Sequence, residues 1–164
     1  MARSKIKHFK GFSIVDGDIR VTLNMSRFER QFQRAQYQLD GAVMNSMVPF
    51  MPMVTGSFIN ATRAASAALQ GSGEVYAAYG PQGRFLYEGK TMVDEKTGST
   101  WARRGAKKVL VSEFGGKTNA KPELTYTKQA HPKAQSHWFD AAKKADGKKW
   151  IRDVKKTAGG GQRG

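Results

Sequence analysis

The spacing of apolar and polar positions divides the chain into segments of different period. Ile19 to Leu23 (IRVTL) alternates as a half-buried strand does. Asn24 or Ser26 can then cap a helix, and Glu29, three residues after Ser26, completes a capping-box pattern. Beyond it Phe28, Phe32, Ala35, Leu39, Ala42, Val43 and Met47 recur at spacings of three and four, which predicts an amphipathic helix over Arg27–Met47. Arg27, Arg30, Gln33, Arg34, Gln38 and Asp40 lie mainly off that stripe, so the stripe reads as a core-facing surface rather than a ligand box.

Pro49 and Pro52 stop the helical pattern, because each disfavours helical geometry in the residue before it. Met44, Met47, Met51 and Met53 make an adaptable apolar surface around the break, suited to core lining and to a subunit contact. Thr55-Gly56-Ser57 offers a cap for a short helix through Phe58, Ile59 and Ala61, or a lead into a strand, and Ala64–Leu69 is ambiguous between the two. Glu74–Tyr79 has strand composition, Gly80-Pro81-Gln82-Gly83 is a turn signal, and Arg84–Tyr87 can pair back. This predicts a β-hairpin at the centre of Gly71–Asp94. A turn over Glu95–Gly98 leads into Trp101, and Val109–Val111 and Leu124–Thr127 are further short strand candidates.

Near the C-terminus Phe139, Ala142, Ala145, Trp150 and Val154 give a helical stripe within Ser136–Lys156, which Gly147 interrupts at a cost of ~1 kcal/mol relative to alanine, leaving room for two helical pieces. The fold class expected is α+β: a small antiparallel sheet packed against a long amphipathic helix, with a C-terminal helix. Residues 1–18 read as a flexible arm or edge segment and 19–157 as a single domain with a basic insert at 103–133. Residues 158–164 have nothing to bury and read as a disordered tail.

Charge changes this picture. The 164 residues carry a net charge of +15. Residues 1–100 hold 12 Lys and Arg against 8 Asp and Glu, whereas 101–164 hold 16 against 5, a net of +11 in the C-terminal part. Such asymmetry points to a polyanion, most simply nucleic acid, although solubility and an acidic protein partner are served by the same balance. Cysteine is absent, which excludes disulfides and thiolate metal sites. The N-terminus lacks the apolar run of a signal peptide, and the most apolar window, 44–59, is short and broken by prolines, so no membrane segment is expected.

Catalytic chemistry finds little support. His8, His131 and His137 do not share one helix face and lack zinc-type companions. Asp16 and Asp18, Asp94-Glu95 and Asp146 are scattered, and the glycines at 71/73 and 80/83 do not make a phosphate loop. A small hydrolase is therefore the weakest reading, and no catalytic, cofactor or metal residues are assigned. Arg103, Arg104, Lys107, Lys108, Lys117 and Lys121, near Trp101 and Phe114, are the candidate nucleic-acid-facing residues. Lysine and arginine neutralise phosphates without reading sequence, and no sequence-reading module is present, so contact would be non-specific. A solvated charged loop is the plainer alternative.

Four stretches together resemble the small minor capsid or neck proteins encoded in the head-to-tail region of long-tailed bacteriophages, relatives of the tail-completion proteins. They are the helix after Ser26, VPFMPMVTGSFINAT, EVYAAYGPQGRFLYEGKTMVDEKTGSTW and HWFDAAKKADGKKWIRDVKK, covering about residues 20–157. The resemblance implies a non-enzymatic virion protein that forms a ring, usually six-fold, at the neck joining tail to DNA-filled head. It further implies contact with other phage neck and tail proteins, double-stranded DNA in the channel, and residence in the host cytoplasm before assembly. The insert 103–133 matches least, and its placement toward the DNA is inferred from charge. Phe50, Met51, Met53, Tyr79, Arg84, Phe85 and Tyr87 are the candidate subunit-interface residues, since Met and aromatics favour interface cores. A standalone, non-specific nucleic-acid-binding architectural protein is the alternative.

Overall fold

The computed structural model describes residues 12–16, 19–23 and 25–159. In chain order the elements are β1 (Phe12–Asp16), β2 (Ile19–Leu23), α1 (Ser26–Met47), α2 (Ser57–Ala67), α3 (Gly83–Glu88), β3 (Met92–Asp94), β4 (Lys108–Leu110) and α4 (Trp138–Ala158). Two antiparallel pairs, a long helix and a C-terminal helix make the α+β class expected. In one pair β1 meets β2 in the register Phe12↔Leu23 to Asp16↔Ile19; in the other Met92 faces Leu110 and Asp94 faces Lys108. Phe12–Asp16, read as part of an arm or edge segment, is thus a strand. Residues 1–11, 17 and 18 of that arm and 160–164 of the tail lie outside the described residues, while Ala158, expected in the tail, ends α4.

The chain gathers into two compact units, each assembled from separated segments: 1–46, 63–76 and 142–164 in one, 47–62 and 77–141 in the other. The first is built on most of α1, the C-terminal part of α2 and most of α4. Ala35 and Met44 of α1 and Ala142 and Trp150 of α4 are buried, and the Trp150 Nε1–H donates to the Ser46 hydroxyl at 3.2 Å. The buried side of α1 is turned from the expected stripe, since Phe28 stays half exposed while Asp40 is only 4% exposed. Its Oδ2 accepts the backbone N–H groups of Gly71 (2.7 Å) and Gly73 (3.1 Å), and its Oδ1 accepts the Gln36 amide (2.7 Å). Burial is tolerated because every approach to the carboxylate is a donor. Gln70 adds a hydrogen bond to the Tyr37 carbonyl, fastening the same loop to α1.

The second unit is centred on Trp138, which is fully buried. Its ring meets Tyr87 edge-on at 4.9 Å and Phe58 at 5.9 Å, and its Nε1–H donates to the Ala77 carbonyl at 2.7 Å. His137, at φ 49°, turns the chain into α4; its N–H reaches the Tyr87 carbonyl and its ring stacks edge-on against Tyr87. Burial raises the pKa of Tyr87, and nearby Asp140 adds to the effect. Met47, Met51, Ile59 and Val93 complete the apolar interior.

The expected hairpin at 74–87 does not form. The turn over Gly80–Gly83 is present, with Gly80 at φ 99° and the Gly83 N–H on the Gly80 carbonyl, but the chain then enters α3 rather than a returning strand. Arg84 and Glu88 pair one turn apart at 3.3 Å, and Gly89, at φ 73°, ends the helix in the left-handed region that suits glycine. Glu74–Tyr79 stays irregular because side chains, not a partner strand, take its backbone groups. Ser66 receives the Tyr76 N–H, Thr62 the Tyr79 N–H, and Trp138 binds the Ala77 carbonyl. Leu124–Thr127 is likewise no strand; only the neighbouring Glu123 bridges, to Lys90. Over 57–67 the helical alternative holds, and α4 runs unbroken through Gly147, with Ala145 exposed.

Candidate nucleic-acid interface

The basic segment is carried by the β3–β4 pair of the second unit. Asp94, the last residue of β3, closes the following turn: its Oδ1 accepts the N–H groups of Lys96 (2.8 Å) and Thr97 (3.0 Å). Those two backbone bonds favour the ionised form and hold its pKa below the usual aspartate value. Gly98 then turns at φ 67°, where a Cβ would lie 2.5 Å from the Phe114 ring and 3.1 Å from the Lys117 carbonyl. Gly116 leaves equally little room, 2.8 Å, over the same ring. Phe114 is therefore wedged against two glycines, and the Thr118 hydroxyl closes the arrangement by donating to the Gly98 carbonyl at 2.6 Å. The insert is a pinned loop, with its backbone fixed at Gly98, Phe114 and Thr118.

On this frame the six candidate cations are all exposed, but they are not equivalent. Lys107 pairs with Glu95 at 2.7 Å, a contact that raises the lysine's pKa, and Lys108 donates to the Thr100 carbonyl at 2.8 Å. Arg103, Arg104, Lys117 and Lys121 have no carboxylate within ion-pair distance among the described residues. Arg103 opens a tight turn closed by the Ala106 N–H on its carbonyl, with Gly105 at φ 81°. Trp101 stands beside it, 70% exposed. A cleft of about 840 Å³ runs between Trp101, Arg103 and Lys107 on one side and the Asp94–Thr97 turn on the other. A second hollow lies between Thr97–Thr100 and Lys117–Ala120. An exposed aromatic ring amid unpaired cations can stack on a base or lie against a sugar while the cations hold phosphates. Trp101 was not among the expected site residues; its proximity to Arg103 and Arg104 was the signal in the sequence.

The seven candidate interface residues separate by exposure. Met51, at 0% exposure, belongs to the core, and its carbonyl meets the His131 Nδ1 at 2.8 Å. That is a correction: an apolar residue without accessible surface offers a partner nothing. Tyr87 spends most of its ring on Trp138 and His137. Phe50 is half-buried beneath the Lys133 ammonium, 5.8 Å from the ring centre. Met53 and Phe85 are half-buried, Arg84 is exposed and paired to Glu88, and Tyr79 is 48% exposed. Val54, next to Met53, is the most exposed large apolar residue of this unit and was not foreseen.

His131 and His137 are engaged in these packing contacts, and among the described residues no three His, Asp or Glu side chains converge as metal ligands. No helix among them is long and apolar enough to cross a membrane. No protein-family model, curated protein or solved structure matches the chain.

Proposed function

We propose that the protein is a structural virion component of the phage neck, assembling as a ring that joins the tail to the DNA-filled head and surrounds the DNA channel. The observation that carries the reading is the pinned basic loop. Four cations without an ion-pair partner among the described residues, and an exposed tryptophan, are held on a loop whose backbone is fixed at Gly98, Phe114 and Thr118. Supporting it are the resemblance across residues 20–157 and the net +11 of residues 101–164. Exposed Tyr79 and Val54, with half-buried Phe50 and Met53, supply apolar surface for contact between copies.

Deleting the gene from the phage that encodes it tests the reading. The expected outcome is filled heads and free tails that fail to join, with joining restored by the protein in trans. Joined, infectious virions from the deletion overturn it. The architectural nucleic-acid-binding alternative is favoured by Trp101 alone, and predicts tight, salt-sensitive DNA binding by the isolated monomer with no dependence on a ring. Glutamine at Arg103, Arg104, Lys107 and Lys108 would abolish that binding.

A further inference from the structure

A second basic surface lies on α4, in the first unit, outside the loop just described. Lys144, Lys148, Arg152 and Lys155 follow one another at spacings of four, four and three, and all are exposed. On an α-helix these positions form a single row about 16 Å long. The helix carries three aspartates, Asp140, Asp146 and Asp153. None stands three or four residues from Lys148 or Arg152. The four such neighbours of Arg152 are Lys148, Lys149, Lys155 and Lys156, every one a cation. Its nearest carboxylate, Asp153, is the adjacent residue, at 3.7 Å and with both groups largely in solvent.

Like charges at these spacings destabilise a helix. Lys155 and Lys156 have a local justification, since cations in the last turn complement the helix dipole. Lys144, further from that end, stands four residues after Asp140, and Arg152 reaches the adjacent Asp153, but Lys148 has no such neighbour. A row of exposed cations that repel one another, with Arg152 flanked one turn away on both sides by lysines, is relieved by an external anion of matching linear form.

We propose that this row on α4 is a docking site for the sugar-phosphate backbone of double-stranded DNA, bound without regard to sequence. Duplex DNA presents one phosphate charge per ~1.7 Å of axis, so the row faces about ten phosphates, counting both strands, and can neutralise roughly four of them. A lipid surface is a poorer fit. An interfacial helix needs a free apolar face, whereas Ala142 and Trp150 of α4 are buried and beside the row Ile151, 58% exposed, and the small Ala145 offer little apolar area. The inference rests on the reading of a DNA-surrounding protein but assigns it a contact on a different unit from the loop.

The experiment measures affinity of the full chain for a duplex of arbitrary sequence across a salt series. The quadruple variant Lys144→Gln/Lys148→Gln/Arg152→Gln/Lys155→Gln is compared with Arg103→Gln/Arg104→Gln/Lys117→Gln/Lys121→Gln. Losing four phosphate contacts lowers the magnitude of the slope of log K against log salt by about 3.6 and weakens binding more than tenfold at low salt. The triple variant Lys144→Arg/Lys148→Arg/Lys155→Arg retains affinity. Thermal unfolding of the helix variant at or above the wild-type midpoint shows that the loss is not misfolding. No duplex binding by the wild-type chain at low salt overturns the proposal. So does an unchanged slope in the helix variant, and so does loss of binding to phosphatidylglycerol vesicles with DNA affinity intact. An unchanged helix variant beside a weakened loop variant removes the α4 site and leaves the proposed function standing. A weakened helix variant beside joined virions from the gene deletion does the reverse.

Discussion

Two aspartates do different work at the residue scale. Asp40 is buried and ties Gly71 and Gly73 to α1, so Asp40→Ala leaves two backbone N–H groups without their acceptor. Gly71 is half-buried and Gly73 exposed, so water takes up part of the deficit, and a loss of about 1–2 kcal/mol is expected in urea unfolding. Asp94 instead organises the turn beneath the basic loop, and its backbone hydrogen bonds depress its pKa. With the folded pKa below the unfolded one, the charge stabilises the fold above the unfolded value and that contribution is lost as pH falls through the folded value. Asp94→Asn keeps an acceptor oxygen but not the charge. It is therefore expected to lower the urea midpoint at pH 7 and to match wild type only once pH has fallen below the folded-state pKa, where the aspartate is protonated in both states. A deficit that persists undiminished in acid would assign the effect to geometry instead of charge.

Legibility differed from element to element for identifiable reasons. The helix over Arg27–Met47 was readable because its apolar residues recur at helical spacing; it starts one residue earlier, at Ser26, and ends at Met47 as expected. The row of Asp40 was misjudged because a carboxylate normally faces water, and its donors come from glycines thirty residues away. The 74–87 hairpin failed because tyrosine, phenylalanine and valine resemble a strand locally, while the groups that hold the segment, Thr62, Ser66 and Trp138, are distant in sequence. Gly89 and the Arg84–Glu88 spacing were the local signs of α3. In the candidate site the cations and the 95–98 turn were legible, but the Gly98–Phe114–Gly116 wedge and the exposure of Trp101 were not. Continuity of α4 yields a direct prediction. A Cβ at Gly147 would meet only Lys143 Cγ, at an ordinary 3.7 Å. Gly147→Ala is therefore expected to stabilise the protein by about 0.5–1 kcal/mol, visible as a higher thermal midpoint. A lower midpoint would mean that glycine serves a bend or a close approach by a partner.

At the scale of the whole molecule, the net charge of +15 sets two salt effects against each other. The ion pairs described here are few and exposed, each pairing side chains at least 41% accessible, so screening them removes little stability. Repulsion among the excess cations, on the loop and along α4, opposes the compact state, and added salt screens it. The thermal midpoint of the free protein is accordingly expected to rise between ~0.05 and ~0.5 M NaCl, a range over which the Debye length shortens roughly threefold. Duplex DNA should act in the opposite sense. Bound to the folded chain alone, it raises the midpoint by mass action at low salt, and that increment fades as counterions compete for the phosphates. The curves with and without DNA should therefore converge from opposite slopes. A midpoint of the free protein that falls with salt would mean that attraction, not repulsion, dominates its surface. That outcome would remove the electrostatic ground on which both the loop and the α4 row are assigned to DNA.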